Sequence, residues 1–134
     1  MIIKNRELFP AKVFDRVRYV AGEIARVQAA ADDLDRGDLR SFGAKMTETH
    51  RGLSEQYEVS CPELDFLVDE VTRSGHVLGA RMMGGGFGGC VIALVRTQAK
   101  REIEADLSVK YHTAFSTDLK IYEVNIAEGA GKIG

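Results

Sequence analysis

Five of the six consecutive positions from Gly84 to Gly89 are glycine, interrupted only by Phe87. Such a run gives up a large conformational entropy on folding, so neither a helix nor a central strand is expected to pass through it. Its flanks say what kind of loop it is. Val77-Leu78-Gly79-Ala80-Arg81-Met82-Met83 reads as a strand, and Cys90 to Arg96 reads as a second, buried one rich in β-branched residues. The glycines therefore link two strands. Gly84, Gly86 and Gly89 satisfy G-x-G-x-x-G, but a dinucleotide fingerprint requires a helix directly after the loop, where this chain has a strand. A Walker A loop ends in Gly-Lys-Ser/Thr; Gly89-Cys90-Val91 offers neither the lysine nor the hydroxyl. Two readings stay open. In one the glycines only shape a bulged hairpin or permit close packing. In the other their N–H groups form a nest for an anion such as phosphate, with Arg81 adding charge and Phe87 wedging the loop onto a neighbouring surface.

Upstream the period is helical. Val13, Val17, Val20, Ile24, Val27, Ala31 and Leu34 recur in steps of three and four, one stripe of a long helix. Gly37 is placed to end it and Asp38 to cap the next, in which Leu39, Phe42, Met46, Thr49 and Leu53 continue to about Tyr57. So short a turn, Arg36-Gly37-Asp38, makes an antiparallel helical hairpin. Ser60-Cys61-Pro62-Glu63 has the form of a capping box for a third helix reaching about Ser74, with Leu64, Leu67, Val68 and Val71 facing inward and Gly75 as its stop. Thr97 is an expected N-cap for a helix over 98–115, and Ile121-Tyr122-Glu123-Val124-Asn125-Ile126 alternates like a closing strand. The stretch from Gly129 to Gly134 reads as a loose tail.

The expected fold class is α+β: a helical hairpin and further helices on a small, mostly antiparallel sheet. At 134 residues, two domains would each be too small for a good core, so 1–134 is read as a single domain. Eighteen Lys+Arg against twenty Asp+Glu leave a net charge of -2 with no long basic block, which argues against a nucleic-acid partner. Apolar runs such as Val91-Ile92-Ala93-Leu94-Val95 fall far short of the roughly 20 residues of a membrane span. The first residues, Met1-Ile2-Ile3-Lys4-Asn5-Arg6, do not read as a secretion signal, and Cys61 and Cys90 form no disulfide framework; a cytoplasmic location with reduced thiols is expected.

Other groups carry weaker chemistry. His50, His76 and His112 have no metal-site spacing, and neither cysteine has neighbouring ligands, so no metal is expected on this chain alone. His50 reads as surface or hydrogen-bonded structure rather than a catalyst. Cys61 stands at a helix start, where a reactive thiol is one reading, but capping and packing account for it equally. Asp32-Asp33-Leu34-Asp35 and Glu102-Ile103-Glu104 read as solvated helix surface.

From Gly79 through Arg81, Met83 and the glycines to Cys90, the chain resembles the third conserved motif of galactokinases, within the GHMP small-molecule kinase superfamily. Glu48-Thr49-His50-Arg51-Gly52-Leu53, the stretch from Gln56 to Asp65 and the turn Arg36-Gly37-Asp38 are similar to the family's second helix, capping segment and preceding turn. Glu128-Gly129-Ala130-Gly131 resembles its C-terminal end, so the likeness covers roughly Phe9 to Gly131. It implies the C-terminal domain of an enzyme that transfers the γ-phosphoryl group of ATP, with Mg²⁺, to the anomeric hydroxyl of galactose. The sugar motif, nucleotide loop, catalytic Asp and assisting Arg of that family lie in its N-terminal domain, and no segment here matches them. The resemblance thus implies no catalytic residue on this chain. Gly84, Gly85, Gly86, Phe87, Gly88 and Gly89, with Arg81 and Met83, would complete a site at the domain junction, beside ATP and galactose. The chain alone is expected to be inactive, to hold no cofactor tightly, to need an N-terminal kinase domain in cis or in trans, and to self-associate through an apolar patch left open at the sheet and glycine loop. Met83 stands where the family usually has Thr, replacing a hydroxyl by a flexible apolar chain. That departure keeps a second reading open, a non-catalytic sugar- or nucleotide-responsive module; a kinase for N-acetylgalactosamine or arabinose is a third.

Overall fold

The computed structural model describes residues 3–125. A short 3-10 turn, Ile3–Leu8, leads into α1 (Ala11–Asp35), followed by α2 (Leu39–Glu55), α3 (Pro62–Thr72), β1 (Val77–Met83), β2 (Cys90–Val95) and α4 (Lys100–Phe115). The class is α+β, four helices on one two-stranded antiparallel sheet among the described residues. No helix among them is long and apolar enough to cross a membrane.

The turn between α1 and α2 forms as expected. Gly37 has φ +70°, its N–H donates to the Leu34 carbonyl, and the Asp38 N–H donates to that of Asp33, the paired bonds of a Schellman stop. Asp38 then caps α2 by accepting from the Ser41 N–H at 3.0 Å.

β1 pairs with β2 from Val77↔Val95 to Met83↔Cys90, and Leu78 is an extra residue, a bulge. At this bulge α2 comes in backbone to backbone. A Cβ added to Gly43 would lie 2.2 Å from the Leu78 carbonyl oxygen, and one added to Gly79 would lie 1.8 Å from that of Gly43. Neither position has room for a methyl group. The approach places α2 along the outer edge of β1, whose N–H groups would otherwise lie bare. The Ala80 N–H donates to Thr47 Oγ1 at 3.3 Å and the Met82 N–H to His50 Nδ1 at 3.2 Å. A helix thus replaces the missing strand with side-chain acceptors three residues apart.

One sheet face is filled by α3 and α4. Leu64, Leu67, Val68 and Val71, the inward face read from the sequence, are all buried. Val68, Val71 and Ala80 form a core against which Val77, Val91, Ala93, Ile103 and Leu107 pack. Phe66, Tyr111 and Phe115 add an aromatic group where α3 meets α4. Side chains alternate along a strand, so Arg81 and Met83 point to the other face, and both are exposed.

Several expectations are corrected. The apolar stripe of α1 is not its buried face: Val13, Val20, Ile24, Val27 and Leu34 are 42 to 64% exposed, while Phe14 and Tyr19 are buried. Periodicity locates a stripe but not what covers it. The capping box does not form, because Cys61 occupies the N-cap without a side-chain bond and the Ser60 hydroxyl turns to Asp65 instead. Helix α3 stops at Thr72, before Gly75. Thr97 opens a 3-10 turn, Thr97–Ala99, and α4 starts at Lys100 after Ala99. Residues 121–125 are irregular chain rather than strand, with Tyr122 and Val124 exposed and Glu123 paired to Lys100. Alternation suits a strand only where an edge is there to receive it. Ile126 and the tail lie outside the described residues.

Candidate functional site

The loop from Gly84 to Gly89 projects beyond the paired ends of β1 and β2. Gly84, Gly86, Phe87, Gly88 and Gly89 have φ of +84, +87, +58, +127 and +101°, so Gly85 alone keeps an ordinary sign. Five left-handed residues in six explain the composition, since each would strain an L side chain. Phe87 adopts that strained region nonetheless, and its ring is 76% exposed. An apolar ring held in water at the tip of a strained loop is not core.

The loop is fixed from one side. The Phe87 N–H donates to the Val59 carbonyl at 2.7 Å, and a Cβ on Gly86 would lie 2.2 Å from the same oxygen and 3.0 Å from Met82 Cε. Beneath it, Met82 is 1% exposed. On the other side the loop is open. Additions at Gly84, Gly85 and Gly88 would meet nothing within 4 Å, and no backbone carbonyl among the described residues accepts from Gly85, Gly86 or Gly88. Amides held in place with no acceptor within the chain can bind an anion without first breaking bonds of their own. The loop is thus divided: Gly84, Gly85 and Gly88 are spared from packing, whereas Gly86 is packed.

Arg81 leaves β1 on the same face as Met83, which is 47% exposed beside the loop and pairs across the strands with Cys90. The guanidinium lies close enough to Tyr19 to oppose a rise in that phenol's pKa, a rise caused first by burial and then by the hydrogen bond to Glu23. Tyr19 itself packs on Gly52, where a Cβ would stand 2.2 Å from its ring. Arg26 and Thr49 also bind Glu23, so the junction of α1 and α2 on this side is polar and ordered.

Of the two structural readings the sequence left for His50, surface or hydrogen-bonded, the second holds, with partners the sequence did not point to. His50 is 3% exposed; besides the Met82 N–H on Nδ1, it places Nε2 3.1 Å from Asp65 Oδ1. Asp65 also accepts from the Ser60 and Ser54 hydroxyls. Burial pushes the imidazole pKa down, with Asp65 and Asp69 opposing the shift. The available signal was Thr47 and His50 three residues apart on a helix face that also carries Gly43, a polar line where a core stripe would be apolar. Cys61 and Cys90 are free thiols, and among the described residues no group of three His, Cys, Asp or Glu is arranged to hold a metal.

The family model described as GHMP kinases C terminal matches residues 30–112. Among curated proteins the chain is 46% identical over 108 residues to a galactokinase of Bos taurus, covering 81% of this chain and 28% of that protein. It is 42% identical over 126 residues to a galactokinase of Canis lupus familiaris, covering 94% of this chain and 31% of the other. A crystal structure of Lactococcus lactis galactokinase complexed with galactose superposes with a TM-score of 0.84 at 31% identity, covering 87% of this chain and 30% of that one. L. major mevalonate kinase in complex with R-mevalonate gives 0.62 at 29% identity, over 85% and 32%. The chain thus spans about a third or less of the length of these relatives.

Proposed function

The chain belongs to the GHMP kinase C-terminal family, and we propose that it is the C-terminal domain of a galactokinase, working with an N-terminal kinase domain supplied in cis or in trans. The observation that carries this reading is the glycine loop: anchored through Phe87 and Gly86, it leaves the amides of Gly85, Gly86 and Gly88 without backbone acceptors. Such a surface suits the oxygens of a phosphoryl group or the backbone of a nucleotide-binding loop.

In this reading residues 84–89, with Arg81 and Met83 beside them, complete a site at the domain junction. ATP would supply the phosphoryl group and galactose would accept it through its anomeric hydroxyl, with Mg²⁺, when bound with the nucleotide, supplying neutralisation of phosphate charge. The residues of this chain that fit the phosphates are the loop amides and the Arg81 guanidinium; they orient and stabilise charge, and the nucleophile's activation falls to the other domain. Met83 puts a thioether where a hydroxyl would bond a neighbouring loop. The exposed stripe of α1 and the exposed Phe87 and Met83 offer apolar surface for the partner domain, or for self-association when the domain is alone. Two free thiols suit the cytoplasm.

The test is direct. The longer polypeptide carrying this chain is expected to form galactose 1-phosphate from ATP and galactose, and the purified chain alone is expected to form none. Activity of the chain alone would overturn the division of labour; a longer polypeptide that folds and binds neither substrate would overturn the kinase reading.

A further inference from the structure

We propose that His50, held by Asp65, is a positioning residue that sets the glycine loop for phosphoryl transfer, an inference that rests on the kinase reading of residues 84–89. The Met82 N–H, two residues ahead of the loop, donates to His50 Nδ1. With Nδ1 accepting, the ring proton resides on Nε2 and points at Asp65 Oδ1, 3.1 Å away. The same carboxylate oxygen receives the Ser60 hydroxyl, and the preceding residue, Val59, holds the Phe87 N–H at 2.7 Å. Met82, His50, Asp65, Ser60, Val59 and Phe87 thus close a ring whose remaining arc is the loop itself.

Edge satisfaction alone does not require this arrangement. One turn earlier a threonine serves Ala80 with a single hydroxyl. A shorter acceptor would serve Met82 equally, without the burden of burying an imidazole, which is 3% exposed. What histidine adds is a second nitrogen facing away from the sheet, which couples the strand before the loop to the segment that anchors its middle. The loop's own glycines contribute no stiffness, so its shape depends on those two anchors keeping their separation. A displacement of about an ångström in a phosphate-facing group lowers turnover by up to about a hundredfold.

The test uses three substitutions in the longer polypeptide. His50→Asn keeps an acceptor for the Met82 N–H but is too short to reach Asp65; Asp65→Ala removes the carboxylate; Asp65→Asn keeps an oxygen for Nε2 and serves as the conservative rescue. We expect His50→Asn and Asp65→Ala to lower kcat about tenfold or more with little change in KM for galactose. Asp65→Asn is expected to stay within a few-fold of the parent. Amide exchange at Phe87 should quicken about tenfold in the first two, out of proportion to any change in global unfolding. Parental kcat and parental Phe87 exchange in folded His50→Asn and Asp65→Ala would overturn the inference. If the parent itself fails to phosphorylate galactose, the kinase reading fails on its own, and the exchange measurement still decides whether the ring positions the loop.

Discussion

Gly43 and Gly79 sit where α2 meets β1, and Gly84, Gly85 and Gly88 sit in the loop a few residues further on. The first pair is glycine because atoms of this chain occupy the space a side chain would take. The second group has empty space around it, and at Gly84 and Gly88 a backbone conformation that side chains avoid. One region uses glycine to bring two pieces of itself together; the other uses it to keep a surface bare. Gly86 belongs to both, pressed on the Val59 carbonyl at a φ of +87°. A composition count cannot separate these uses, whereas the distance to the nearest heavy atom does.

The sharpest way to break the comparison is to add one methyl group on each side of it. Gly79→Ala has no room without parting α2 from the sheet, and we expect a loss of about 3 kcal/mol, enough to unfold a marginal domain in mild urea. A chain that keeps its unfolding midpoint after this change would show that the contact is slack. Gly88→Ala should cost only about 1 kcal/mol, from the strained φ, yet lower kcat of the proposed kinase about tenfold or more. Parallel kinetics and thermal melts decide it: a fall in activity that merely follows the fall in stability would return the loop to the hairpin reading. Gly86→Ala should show both losses together.

A smaller effect sharpens the packed side. The His50 imidazole is held below its ordinary pKa of 6.5 by burial, only partly offset by Asp65 and Asp69. The unfolded chain therefore binds this proton first, so the contribution is fully present above about pH 6.5 and is lost as pH falls through the lower folded value. Urea midpoints measured on either side of that window should decline towards acid in the parent and decline less in His50→Asn. The smallest effect on stability belongs to α1. Ile24→Lys with Val27→Lys places charge on the exposed stripe, and folding free energy should move by only about 0.5 kcal/mol each. Self-association of the chain alone, followed by sedimentation, should fall away; unchanged association would place that contact elsewhere.

Where an element's amino acids interact mainly within a few residues of one another, its limits were legible. The Arg36-Gly37-Asp38 turn, the inward face of α3 and both strand positions follow from capping chemistry and period, because each is settled locally. Ser60 defeated the same logic: its hydroxyl found a carboxylate two residues past the expected amide, an exchange decided by where α2 places His50 and Ser54. The stripe of α1 misled in another way. Its period is right, but burial depends on neighbours, and within this chain Phe14 and Tyr19 are buried instead, Tyr19 against Gly52 of α2. For the site, the glycine run was visible as a residue pattern, while its supports His50, Asp65 and Val59 were not, since the ring joining them crosses three elements.

The pairing of Thr47 and His50 with Ala80 and Met82 also limits how this segment can vary in length. Acceptors on a helix and donors on a strand advance at different rates per residue, so they coincide at these two points and not after a shift of one. Deleting or inserting a single residue between Gly79 and Gly84 would turn towards α2 the N–H groups that now face β2 and shift the loop relative to Val59. Exchange of side chains at Arg81 or Met83, which point away from this contact, leaves the spacing intact. The interval from Gly79 to Gly84 therefore behaves as a fixed ruler: the side chains at Arg81 and Met83 are free to change, its length is not.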